Sequence, residues 1–154
     1  MALTATWVHG NALTVETPSN CAAILHKGWG TDLFINSGTE TWFHIPISTP
    51  VLINDVRAQL VRVFILFDTN PGDGFITNVH VYDGAFNTQQ FNDLNLAGEH
   101  RTGLDGANTF TLPQPHSVAF GIGISFRFVA AVGFDSAVGP FLVRIATAGA
   151  DFNM

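Results

Sequence analysis

At 154 residues, 47% apolar and only 12% charged, the chain is long enough for one domain that buries roughly 70% of the surface its unfolded form exposes, and it falls well short of the about 25% charged residues of an ordinary soluble protein. Six Lys and Arg against twelve Asp and Glu, with no basic run, exclude nucleic-acid binding driven by counterion release. A lone cysteine, Cys21, excludes an internal disulfide, and a surface built from Thr, Ser, Asn, Gly and apolar atoms leads us to expect a homo-oligomer.

The chain opens "MALTATWVHGNALTVETP", without the cationic stretch and uninterrupted apolar core of a secretory signal. The expectation is a protein that acts where it is made, that is exported without a cleaved signal, or whose signal has been removed. Residues 4–10 and 11–16 alternate as strands, and Trp7 is assigned to the core or an interface. In "HKGWGTD" (26–32), Trp29 lies between glycines in a predicted loop and is followed by Asp32. An indole there gives a sugar ring a face to stack on, with a carboxylate nearby for its hydroxyls; the plainer role is a plug at the end of the fold. Strands follow at 31–36 and 41–47, the second placing Trp42 and His44 on one face; Trp42 and Tyr82 can also offer sugar rings a stacking surface, but Trp42, like Trp7, is assigned to the core or an interface.

Residues 56–68 and 75–83 read as two long strands joined by Thr69 to Gly74, a predicted central hairpin. Val61, Val63, Ile65 and Phe67 share one side of the first strand and Leu60, Arg62, Phe64 and Leu66 the other, so both faces are expected to be covered. In the second, Asn78, His80 and Tyr82 oppose Val79 and Val81. The connecting "DTNPGDG" carries Asp68, Asn70 and Asp73 but places Asp73 where a helix-flanked calcium loop requires Gly, so it reads as a turn. Residues 88–100 are the one segment where a helical turn or two is expected. A strand at 109–113 precedes "SVAFGIGISFRFVAAVGF" (117–134), where Val118, Phe120, Ile122, Ile124, Phe126 and Phe128 alternate with small residues and Arg127. This period of two, with glycines that a helix would carry at about 1 kcal/mol each, makes the segment a strand and not a membrane span. A last strand is read at 140–147.

Short strands separated by Gly and Pro turns, without crossover helices, predict an all-β fold: a single antiparallel β-sandwich of jelly-roll or Greek-key type over residues 1–154. Arg62, Arg127 and Arg144 are half of the six cations, and each sits inside a strand. They can converge with His44, Asn78, His80 and Tyr82 on a pocket for an anion or a sugar, or each can lie on a solvated face with its stem over apolar neighbours. No two of the six histidines fall at a spacing that aligns imidazoles on one face, so no metal and no cofactor is expected. Ser125 lacks the Gly-x-Ser-x-Gly elbow, and no catalytic constellation is apparent. The reading is a non-enzymatic glycan-binding module that associates with itself. A structural subunit of a shell, fibre or appendage is the alternative, and an enzyme or metalloprotein with a site gathered across strands the third.

Overall fold

The structure, a computed structural model, describes residues 2–132 and 139–154. In chain order its first strands are β1 (Leu3–His9), β2 (Thr14–Val15), β3 (Cys21–Lys27), β4 (Gly30–Ile35), β5 (Glu40–Pro46), β6 (Leu52–Ile53) and β7 (Val56–Arg57). There follow β8 (Gln59–Thr69), β9 (Gly74–Asp83), β10 (Phe86–Phe91), β11 (Glu99–His100), β12 (Thr109–Ser117), β13 (Ile122–Ala130) and β14 (Phe141–Asn153). Every pairing is antiparallel. One sheet runs β10-β9-β13-β5-β2. The other is centred on β8 and β14: β11 and β12 share the free edge of β8, while β4, extended by β3, and β1 share the free edge of β14. The result is a β-sandwich, and no helix among the described residues is long and apolar enough to cross a membrane.

Alternation explains the layers. Phe43 and Ile45 of β5, Val79 and Val81 of β9, and Ile124, Phe126 and Phe128 of β13 are buried on one inner face; Val63, Ile65 and Phe67 of β8, Leu33 and Ile35 of β4, and Val143 and Ile145 of β14 are buried on the other. Phe43 and Phe126 meet at 5.2 Å in a tilted pair, the edge-to-face preference of aromatic rings.

Several expectations change. The 56–68 and 75–83 strands exist but do not pair: β8 belongs to the sheet with β14 and β9 to the sheet with β13, so residues 70–73 cross from one layer to the other. A period of two specifies which face is buried and leaves the lateral neighbour open. A β-bulge at Val61, where Asp151 opposes Arg62 but Phe152 opposes Leu60, turns Leu60 into the core instead of leaving it beside Arg62, as an extra residue in one strand must. Residues 88–100 hold β10 and β11 and no helical turn. The apolar tract 117–134 divides between the end of β12, a turn, and β13; Val118 is buried but Phe120, in the turn, is exposed, and residues 133 and 134 lie outside the described residues. A strand at Cys21–Lys27, too poor in alternation to be anticipated, pairs with β4.

On the outer side of the larger sheet, Trp7 lies flat against Phe64 at 5.1 Å. Gly149 makes this stacking fit, because a Cβ there would stand 2.6 Å from the Trp7 ring.

Candidate functional site

The outer face of the five-stranded sheet is where polar and aromatic side chains gather. The register sets three rows across β5, β13 and β9: Trp42, Arg127 and Asn78; His44, Ser125 and His80; Pro46, Gly123 and Tyr82. Glu16, just past β2, is held beside them by its N–H donating to the Trp42 carbonyl at 2.9 Å. Gly123 has no atom within 4 Å of the place a Cβ would occupy, so its row is low between Pro46 and Tyr82. An open depression of about 490 Å³ on this face is lined by Glu16, Trp42, His44, His80, Tyr82 and Ser125.

Its polar atoms are tightly connected. His44 Nδ1 lies 2.7 Å from Ser125 Oγ and His44 Nε2 3.1 Å from Glu16 Oε2. A carboxylate can only accept, so Nε2 carries a proton, and in the neutral ring Nδ1 accepts from the serine hydroxyl. His80 packs against Trp42 at 4.8 Å, and its Nε2 donates to Asn92 Oδ1 at 2.8 Å. Asn78 donates to the same oxygen and accepts from Thr77 Oγ1, which in turn accepts from Arg127 Nε at 3.0 Å. Thr77 is the extra residue of a bulge opposite β13. Arg127 also faces Glu40 at 3.6 Å, and with Thr77, Asn78, Asp93, Leu94 and Asn95 it lines a second, more polar depression of about 630 Å³.

Asp83, next to Tyr82, anchors one end of this face. Burial pushes its carboxyl up, but the N–H of Ala119, the His116 ring and the N–H groups of Gly121 and Phe120 all donate to it and hold it at about 2. The turn leading into β13 and Gly123 is thereby fixed on a charge.

The sequence-derived candidates separate into two groups. Asn78, His80, Tyr82 and Arg127 share the face just described. Trp29, Asp32, Arg62 and Arg144 belong to the other sheet and do not join them. There Arg62 pairs with Asp151 at 2.6 Å, and the buried Asp32 receives Lys27 at 2.8 Å and faces Arg144 at 3.4 Å. Trp29, in the turn between β3 and β4, is covered by the Arg101 guanidinium at 4.8 Å, and the two border a smaller depression of about 340 Å³. Among the described residues no three His, Cys, Asp or Glu side chains meet as a metal site.

Glu16 and Ser125 were not read as site residues from the sequence, and Trp42, one of the rings the sequence offers for sugar stacking, was expected in the core or an interface but lines the depression. Parity held the signal: Ser125 alternates with Gly123 and Arg127, Trp42 with Phe43, and the structure sets these polar sides next to that of β9.

No curated protein matches this chain. Among solved structures, the crystal structure of exo-β-1,3-galactanase from Phanerochaete chrysosporium with galactose is similar at a TM-score of 0.41 and 12% identity, over 96% of this chain and 29% of that one; this chain thus spans less than a third of that protein's length. The sequence profile of a family of unknown function (DUF6623) matches residues 1–143, and the chain belongs to that family.

Proposed function

We propose that the chain binds glycans on the outer face of the five-stranded sheet. The observation that carries this reading is the depression itself: Trp42 and Tyr82 line it together with the polar side chains of Glu16, His44, His80 and Ser125, and Gly123 leaves open space in the neighbouring row. Sugar rings present C–H faces to aromatic surfaces and hydroxyls to such donors and acceptors, and about 490 Å³ lies within the roughly 300–1,000 Å³ of small-ligand sites. The neighbouring depression at Arg127, Asn78 and Asp93 offers a further sugar a more polar seat. In this reading Asn78, His80, Tyr82 and Arg127 are ligand-binding, while Asp32, Arg62 and Arg144 serve the ion pairs of the opposite sheet.

Glycan-array screening followed by calorimetry tests it. Retention of defined sugars is expected, with Trp42→Ala weakening them about fivefold or more, since losing an aromatic contact surface costs about 1 kcal/mol or more. Gly123→Val, in the row of Tyr82 beside the depression, is expected to crowd the ligand and weaken binding while leaving the fold intact, because its side chain enters open space and suits a strand. A folded wild-type protein that retains no glycan, or affinities untouched by both substitutions, overturns the reading.

One observation favours a second reading, a self-assembling structural subunit. The β6–β7 hairpin, with Leu52 and Val56 exposed, is tied through the adjoining Ala58, whose carbonyl accepts from the Val118 N–H at 3.0 Å, to the turn between β12 and β13. In that turn Phe120 pairs with Phe86, each 67% exposed, an apolar end suited to a second copy. A monomer by light scattering at high concentration overturns it.

A further inference from the structure

We propose that Ser125, His44 and Glu16 form a nucleophilic relay that hydrolyses small carboxylic esters. The relay shares the depression with the glycan reading and does not rest on it.

Three features carry the inference. Ser125 lies on the central strand of its sheet, flanked in register by His44 and His80, and its Oγ stands 2.7 Å from the one ring nitrogen of His44 left free to accept a proton. Glu16, 3.1 Å from Nε2, fixes that tautomer and balances the positive charge the ring gains on accepting it. The second imidazole cannot substitute: His80 packs against Trp42 and is turned toward Asn92. A nucleophile, a base within hydrogen-bond reach and a third group orienting the base is the arrangement covalent acyl transfer requires. All three lie in the lining of one open depression.

The chemistry balances with water as the only co-reactant. Ser125 Oγ attacks the ester carbonyl carbon, the carbonyl electron pair moves to oxygen, and His44 Nδ1 takes the hydroxyl proton. Collapse of the tetrahedral adduct breaks the bond to the leaving oxygen, which departs as an alcohol carrying the Nδ1 proton. Water then attacks the acyl-serine and gives its proton to Nδ1, and the serine oxygen leaves with that proton as a carboxylic acid is released. The Tyr82 hydroxyl is a donor that the lining offers to the oxyanion. Glu16 acts as a positioning residue through the ring.

Two probes without sugar test the relay: 4-nitrophenyl acetate turnover, and labelling by a fluorophosphonate with the modified peptide identified by mass spectrometry. The expected result is an adduct on Ser125 and turnover lost in Ser125→Ala, with His44→Gln about a hundredfold slower or worse. Glu16→Gln lowers kcat at unchanged KM and alters the pH profile, which a merely structural carboxylate would not do. Ser125→Cys, close in size, keeps the fold and takes the acetyl group as a thioester, so a poorly folded alanine variant does not decide the matter. A folded wild-type protein unlabelled at Ser125, or turnover unchanged by Ser125→Ala, overturns the relay and leaves the glycan reading standing. Conversely, Ser125 labelling in a protein that retains no sugar sinks only the glycan reading.

Discussion

Replacing Asp83 by Asn removes a buried charge on which four hydrogen bonds converge. In the folded chain the carboxyl sits at about 2 against an ordinary 3.8, and its side chain is 3% exposed, so solvent screens it little. The difference corresponds to about 2.5 kcal/mol of stability at neutral pH. Because the folded value is the lower one, this stability is fully present above the unfolded value and is lost as pH falls. About 1 kcal/mol of it is gone by pH 3 and about 2 kcal/mol by pH 2. The Asn variant lacks the titration, and its amide also turns a donor toward N–H groups that need an acceptor. Urea unfolding of both proteins from pH 7 down to pH 2 measures the gap, which is expected to exceed about 2 kcal/mol at pH 7, or roughly 5–10 °C in Tm, and to narrow steadily below pH 5. A gap that stays constant across that range, or one below about 0.5 kcal/mol at pH 7, refutes the assignment of the turn's stability to this charge.

Gly149→Ala forces a methyl group to within 2.6 Å of the Trp7 ring and 2.8 Å of the Thr6 carbonyl oxygen; a loss of about 1–3 kcal/mol and a changed tryptophan emission spectrum are expected, and an unchanged Tm contradicts the packing. At His100, burial opposes the charged ring, but the Asp105 carboxylate at 2.7 Å, the Ala97 carbonyl and the nearby charge of Asp68 outweigh it and raise its pKa. A raised value stabilises the fold below the ordinary histidine range and is lost as pH rises through the folded value. Amide exchange across residues 100–108 is therefore expected to show extra opening as pH rises from 6 to 8, beyond the intrinsic change in exchange rate, and Asp105→Asn to abolish that increment.

The layered fold was legible because side chains at every second position of residues 41–47, 75–83 and 122–130 share a character, and such strands have few ways to bury one face. Lateral order was not. β8 and β9 are adjacent in the chain, yet pair with different partners, a choice made by the packing of whole sheets. The site was half visible. The face shared by Asn78, His80 and Tyr82, and that shared by Trp42 and His44, followed from parity; that both flank Ser125 depends on β13 lying between β5 and β9. Arg62 and Arg144 resemble Arg127 in being cations inside strands, and alternation cannot say which layer a strand joins. Glu16 gave no local signal, because its place is fixed by one backbone hydrogen bond to Trp42.

β14 has consequences for how the molecule can be assembled and cut. This one strand is hydrogen-bonded along one side to β8 and along the other to β4 and then β1, so segments from the beginning and middle of the chain are zipped together only after it docks. Contacts this distant in sequence delay folding, and a fragment lacking β14 has open backbone edges on three strands that will recruit other chains. Separately expressed halves are thus expected to be sticky alone and to regain a stable body on mixing.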